Sequence, residues 1–236
     1  MSTKKIKVKV KKKKIKTKKV IIALILFASI ISVSILGIKL PIKNIYVKGN
    51  KLVNDKTIIE LADISDYPSF ISTYFSNLKK NILKNEYISN VQIKRDLQRK
   101  VYIEVEEYKP ICIYKEKLVL SSTKIVDNIY NINYVPYVIN DIDEIYDEFV
   151  KKFSIVNEDV LLKISQIEYT PNELDKERFL LYMTDANYVY ITLSKIEKIN
   201  KYNSILQKLE NKKGIIHLDS GDYIERKDWH NKILII

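Results

Sequence analysis

The chain has 236 residues and 41 Lys and Arg against 29 Asp and Glu, a formal net charge of +12. That length supports one large or two small domains with cores of their own, and a hydrophobic share of 46% excludes a disordered chain. Four Gly and five Pro argue against a flexible multi-linker architecture, and the single cysteine, Cys112, excludes an internal disulfide.

Residues 1–19 hold eleven lysines and no acid, so a net charge of only +1 remains for the rest. The basic character belongs to this tail. A nucleic-acid-binding fold needs a cationic face of its own, so no nucleic-acid partner is expected. The run from Val20 to Ile38, VIIALILFASIISVSILGI, has no charged residue. At 1.5 Å per residue it covers roughly 28 Å, close to a hydrocarbon core, and it reads as a transmembrane helix. Ser29, Ser32 and Ser34 can bond back to the preceding turn. Lys18, Lys19 and Lys39 flank the run, and Pro41 stops it. The lysines place the N-terminus in the cytoplasm, and attraction to anionic headgroups is a plausible addition. A cleaved signal peptide is the rival reading. It has an apolar stretch of about 7–15 residues and a small-x-small cleavage site, and Gly37-Ile38-Lys39-Leu40-Pro41 offers none.

Residues 42–110 read as a first folded unit. Ile45 and Val47 share one face of a short strand, and Gly49-Asn50 signals a turn. Asn54 or Asp55 then caps a helix carrying Ile58, Ile59, Leu61 and Ala62. After Pro68, the residues Ile71, Phe75, Leu78 and Ile82 form a stripe at helical spacing. Ile88, Val91 and Ile93 lead to Arg95, and Asp96–Arg99 turns the chain into Val101, Ile103 and Val105, an alternating hairpin. The order strand-helix-helix-strand-strand packs as two helices on one face of a three-stranded sheet.

Residues 111–225 read as a second, β-rich α+β unit. Strand-like pieces occur at 111–114 and 118–120, and 135–138 is extended. Asp141 opens a helix with Ile142, Ile145, Phe149 and Phe153 on one stripe. Strands follow at 164–170, 178–183 and 188–192, with Thr184–Asn187 as a hairpin turn. Ser194-x-x-Glu197 has the pattern of a capping box and opens a helix with Ile199, Tyr202, Leu206 and Leu209. Gly214 stops it before a strand at 215–218 and a turn at 219–222. Residues 226–236 form a C-terminal tail that could pack on this unit or bind a partner.

In the first unit, Val47-x-Gly49-Asn50, Arg95 and Glu107-x-x-Pro110 in this order resemble a POTRA domain. Directly after a single N-terminal anchor, the arrangement resembles the FtsQ/DivIB cell-division family. Tyr182-Met183-x-Asp185-x-Asn187 and Gly214-Ile215-Ile216-x-Leu218 are similar to that family's second domain, although family members commonly carry Asp-Gly-Asn at the hairpin and here Ala186 replaces the glycine, a position Ala fills poorly at positive φ. The resemblance implies a membrane-anchored α+β protein of the cell membrane, at the division septum, with its C-terminal part extracytoplasmic. It implies partners of the FtsL and DivIC/FtsB types and a link to septal wall synthases. Tyr188, Tyr190, Ile191, Ile215, Leu218 and Tyr223 are the expected partner surface, on strands whose alternation suits half-exposed sheet. A membrane-anchored adaptor or sensor with other partners remains an alternative, and a membrane-anchored hydrolase a third.

Catalytic signals are sparse. Asp219-Ser220-Gly221 resembles the aspartic-protease turn, which needs two carboxylates sharing a proton, and one such motif occurs. His217 and His230 are the two histidines, far from Cys112 in sequence and without metal-ligand spacing. No glycine-rich phosphate loop is present. The expectation is no enzyme, no cofactor, no metal and no small-molecule substrate.

Overall fold

The computed structural model describes residues 16–208, 213–226 and 232–234. The lysines before Lys16, His230 and most of the tail 226–236 lie outside them. A helix, α1, runs over Thr17–Ile38. Its large apolar side chains from Val20 to Ile31 are exposed. Among the described residues no helix is both long and apolar enough to cross a membrane.

The first unit contains β1 (Asn44–Lys48), α2 (Asp55–Leu61), a 3-10 turn (Ile71–Tyr74), α3 (Leu78–Ile82), β2 (Ile88–Arg95) and β3 (Lys100–Glu107). The sheet order is β1-β3-β2, with β1 parallel and β2 antiparallel to β3. Val101, Ile103 and Val105 face the helices and are buried, as are Ile58, Leu78 and Ile82. Asn54 is the helix cap: its side chain accepts from Thr57 N at 2.8 Å. The expected second helix is broken. Phe75 lies outside the stripe, 85% exposed. Arg95 and Ser76 occupy the break: Arg95 donates from Nε to Thr73 Oγ1 (2.9 Å) and from Nη2 to the Thr73 carbonyl (2.6 Å), and Ser76 Oγ donates to the same carbonyl (3.0 Å). A carbonyl so occupied competes with helix continuation.

The second unit holds β4 (Pro110–Tyr114), β5 (Lys117–Leu120), β6 (Ile125–Val126), β7 (Tyr137–Val138), α4 (Tyr146–Phe153), α5 (Glu158–Leu161), β8 (Ile164–Tyr169), β9 (Arg178–Met183) and β10 (Tyr188–Thr192). A 3-10 run (Leu193–Lys201) leads into α6 (Tyr202–Lys208), followed by β11 (Gly214–His217), β12 (Tyr223–Arg226) and β13 (Lys232–Leu234). These strands form one ladder, β13-β12-β11-β10-β9-β8-β7-β4-β5-β6. The expected capping box does not form: Leu193–Lys201 is a 3-10 run preceded by Thr192, with no side-chain cap bond. The buried residues Leu193, Ile196, Ile199, Tyr202 and Ile205 recur every third position, the period of a 3-10 turn.

Two core clusters meet at β4 and β5. Ile113, Leu118 and Leu120 pack into the first unit's core, and Ile111, Cys112, Tyr114 and Val119 into the second's. Both strands are buried on two faces, which is why they read as unbroken apolar runs and not as alternation. Burial pushes the Cys112 thiol far above its ordinary pKa, so it is an inert core residue.

At Gly49 φ is +86°, and a Cβ there would lie 2.1 Å from the Val105 carbonyl oxygen. Ala186 also has positive φ, 67°, in the hairpin between β9 and β10. Gly49→Ala is expected to destabilise by at least ~2 kcal/mol through clash and left-handed strain. Ala186→Gly is expected to stabilise by ~0.5–1 kcal/mol, the left-handed penalty less glycine's added unfolded-state freedom. Urea unfolding of both variants against the parent chain checks the opposite signs.

Candidate functional site

The turn after β1 is a clasp built from the motif residues. Gly49 lets the backbone lie against β3. The Asn50 side-chain amide donates to the Val53 carbonyl and to Asp55 Oδ1, each at 2.8 Å. The Glu107 carboxylate at the end of β3 accepts from Lys51 N (3.1 Å), Leu52 N (2.8 Å) and Val53 N (2.9 Å), a three-amide nest for one anion. Val47 packs against the first core, and Pro110 starts β4 opposite Leu120. Arg95 stacks over the Tyr74 ring at 4.8 Å. The clasp residues Gly49, Asn50 and Glu107 are thus architectural, and Arg95 lies apart at the far end of β2.

Beside β2 is a groove of about 810 Å³, lined among others by Leu78, Lys79, Lys80, Leu83, Ile93 and Arg95. Among the described residues the outer edge of β2 has no strand partner, so groove and free main-chain groups lie side by side.

The expected partner surface divides between two faces. Val189, Ile191, Ile216, Leu218 and Ile224 point into the core. Tyr188, Tyr190, Ile215 and Tyr223 are half-buried on the opposite, outer face. Ile191 and Leu218 are therefore supports behind the face. The late strands do not form an edge either: β10 lies between β9 and β11, and β12 is covered by β13. The open feature is the face itself.

Cross-strand register assembles that face. Tyr190 opposes His217, and His217 opposes Tyr223. The Arg178 guanidinium sits 3.9 Å from the Tyr190 ring centroid. Tyr190 and His217 stack at 5.3 Å, and His217 and Tyr223 at 4.4 Å. Tyr182 meets Tyr188 edge-on at 5.5 Å and donates to Glu168 Oε2 at 2.6 Å. Arg178, Tyr182 and His217 were not expected on the partner surface. The signal that finds them is the period of two: Arg178 and Tyr182 share parity with Leu180, and His217 with Ile215.

Arg178 Nε donates to Asp219 Oδ2 at 2.8 Å, with side chains 20% and 7% exposed. Burial alone would raise the Asp219 pKa, but Arg178 and the Ser220 hydroxyl and amide hold it below the ordinary carboxylate range. The carboxylate of the Asp-Ser-Gly turn is thus an anion paired with a guanidinium, unlike a carboxyl sharing a proton with a second one. Among the described residues His217 Nε2 is buried without a hydrogen-bond partner, with Glu225 Oε2 3.6 Å away. Burial lowers the His217 pKa, assisted by Arg178 and opposed by Asp219 and Glu225. Among the described residues no group of three or more His, Cys, Asp or Glu could hold a metal.

Behind the face a buried polar network fixes the β9–β10 hairpin. Tyr202 Oη donates to the Asp185 carboxylate at 2.9 Å, Asn187 Nδ2 donates to Asp185 Oδ1 at 3.0 Å, and Gly214 N donates to Asn187 Oδ1 at 2.9 Å. The residues of the Asp185-x-Asn187 motif thereby join the hairpin, α6 and the start of β11.

The element order, the clasp and the following ladder define a POTRA-bearing protein of α+β class. A family model described as "POTRA domain, FtsQ-type" matches residues 40–108. "Cell division protein DivIB" of Bacillus subtilis is 32% identical over 194 residues, 78% of this chain and 73% of that protein. The protein of the same name from Brevibacillus brevis is 26% identical over 75% of this chain and 71% of its own. The chain belongs to the DivIB family of cell-division proteins. A solved structure of the major extracytoplasmic domain of DivIB from Geobacillus stearothermophilus matches 44% of this chain and 96% of that one, at 19% identity and a TM-score of 0.38.

Two outcomes are expected at the outer face. His217 is held neutral, so its contribution to stability is full above the unfolded-state pKa of about 6.5. It is lost as pH falls below that value, with a slope of at most ~1.4 kcal/mol per pH unit that ends at the depressed native pKa. Denaturant melts from pH 7.5 to 5 should show this slope, and His217→Phe should remove it. Arg178→Ala leaves Asp219 buried and unpaired and should destabilise by ~2–3 kcal/mol, measured at pH 7, where the histidine is already neutral.

Proposed function

We propose that this chain is a bitopic divisome scaffold that binds other septal membrane proteins and helps to coordinate septum and cell-wall synthesis. In this reading Val20 to Ile38 anchors it in the cell membrane. Residues 1–19 are cytoplasmic, and the POTRA unit (42–110) and β unit (111–225) are extracytoplasmic, at the division septum. Partners are bitopic proteins of the FtsL and DivIC/FtsB types and, through them, septal wall synthases. Membership in the DivIB family is the observation that carries the reading. The anchor has separate support: α1 exposes apolar side chains all round, as a lipid-facing helix does and a surface helix does not.

The outer face of β9–β12 is the proposed docking surface. Tyrosine-rich, half-exposed surfaces supply contact area at low entropic cost, and Tyr188 and Ile215 lie side by side in register. The groove beside β2 is a second place for an extended segment to add to the sheet.

The test is a pull-down of the full-length protein from native membranes, read by mass spectrometry, with Tyr188→Asp and Ile215→Asp as variants. Small bitopic coiled-coil proteins and wall synthases should be recovered by the parent chain and lost with the variants, while circular dichroism melts stay within a few degrees. Unchanged capture by both folded variants removes the outer face from the reading. Capture of unrelated membrane proteins alone favours an adaptor with other partners.

A further inference from the structure

The segment that follows α1 is tied into the first unit almost at once. Phe70 N donates to the Leu40 carbonyl at 2.9 Å, Ile42 N donates to the Pro68 carbonyl at 3.0 Å, and Pro41 bridges Ser69. The Arg99 guanidinium donates to the Pro41 carbonyl at 3.1 Å, and Lys43 N donates to the Arg99 carbonyl at 2.8 Å. Between Ile38, the last residue of α1, and the first of these bonds stands Lys39 alone. At ~3.5 Å per residue, the two steps from Ile38 to Leu40 hold this edge within roughly 7 Å of the helix end.

The same edge is unusually apolar for exposed surface. Leu97, at the tip of the β2–β3 turn, is fully exposed, and Phe75, Tyr74, Tyr67 and Leu40 are also exposed. Bonds and chain neighbours link them: Phe70 is bonded to Leu40, Tyr67 precedes Pro68 and Phe75 follows Tyr74, and the turn that carries Leu97 is tied to Pro41 through Arg99. Phe70 packs edge-on against Tyr74 at 5.7 Å, and Tyr74 lies under Arg95, the residue before the Asp96–Arg99 turn. Lys39 and Lys43 stand on either side of Leu40–Ile42 in the chain, and Arg99 and Lys100 follow Leu97 within and after its turn. The acids in these segments are Asp63, Asp66 and Asp96, of which Asp96 is held by its own turn, accepting from Gln98 N and Lys100 N.

We infer that this rim docks on the anionic headgroup layer of the membrane, with Leu97, Phe75 and Tyr74 inserted among the headgroups and the cations on lipid phosphates. The inference rests on the proposed anchoring through α1. Aromatic and aliphatic side chains mixed with lysine and arginine are the chemistry of an interfacial surface, and anionic lipid attracts juxtamembrane cations. The short tether means the rim faces the bilayer before it can face a partner.

Full-length protein in nanodiscs tests this with a nitroxide at Leu97→Cys or Phe75→Cys. Cys112 is buried and stays unlabelled. Ile25→Cys in α1 and Leu174→Cys, an exposed residue of the second unit, are the references. In discs containing phosphatidylglycerol, labels at 75 and 97 should shift toward relaxation by oxygen and away from a water-soluble nickel chelate, relative to 174. The shift should shrink in pure phosphatidylcholine and with Lys39→Gln plus Lys43→Gln. If 75 and 97 match 174 while 25 lies in hydrocarbon, the rim stands off and the inference is overturned with the anchor intact. If 25 is also open to the chelate, the anchor itself fails and the inference with it. Labels covered in native membranes but not in protein-free discs would mean a protein occupant, which also overturns it.

Discussion

Strands β4 and β5 have no solvent side, and the rest of the architecture is arranged around that constraint. Leu118 and Leu120 belong to the first core and Val119 to the second, so neither core is complete without this shared wall. Each strand buried on both faces loses the option of a polar alternate position. Side chains around the wall close its ends. Lys109 donates its ammonium to the Val156 carbonyl, and Tyr87 Oη donates to the Asp127 carbonyl at 2.6 Å. The family model's match ends at residue 108, yet the first core draws on residues as late as Val135. A cut at the motif boundary would expose one face of β5.

The charge pattern separates the N-terminal tail from the folded units. Eleven of the chain's lysines lie in residues 1–19, leaving the folded part near neutrality and without a strong long-range field. Its outer face instead carries a local pair, Arg178 with Asp219. This pair sets the chemistry of the face without steering. The Arg178 cation is spent twice, on Asp219 and on the Tyr190 ring, so the aromatic column from Tyr190 to Tyr223 is anchored at one end by a half-buried ion pair.

Much of this was legible in sequence, and the failures have physical causes. Period-two runs at Val101–Val105 and Tyr188–Thr192 gave strands because each has one buried face. The helix stripe through Phe75 failed because the spacing of Ile71, Phe75, Leu78 and Ile82 carries no trace of Arg95, a residue two elements away that takes the Thr73 carbonyl. Ser194-x-x-Glu197 failed because Leu193, Ile196 and Ile199 meet the core at every third residue, and a 3-10 turn keeps that spacing on one face where an α-turn drifts off it. At the site, Tyr188 and Tyr190 were found by parity. Ile191 and Leu218 were placed on the same surface only by ignoring it. The Arg178–Tyr190–His217–Tyr223 column needed register between strands of different hairpins, which one chain's periodicity does not contain.

Distance along the ladder adds a geometric restriction. From β4, in the shared wall, to β11, in the outer face, is five strand steps, roughly 24 Å at about 4.8 Å each. The segment tied to α1 enters on the other side of that wall, through Leu40 and Pro41 of the first unit. The Tyr188–Tyr190 face and the β2 groove are therefore separate surfaces, one in each unit, and a segment that fills one reaches the other only by running along the ladder.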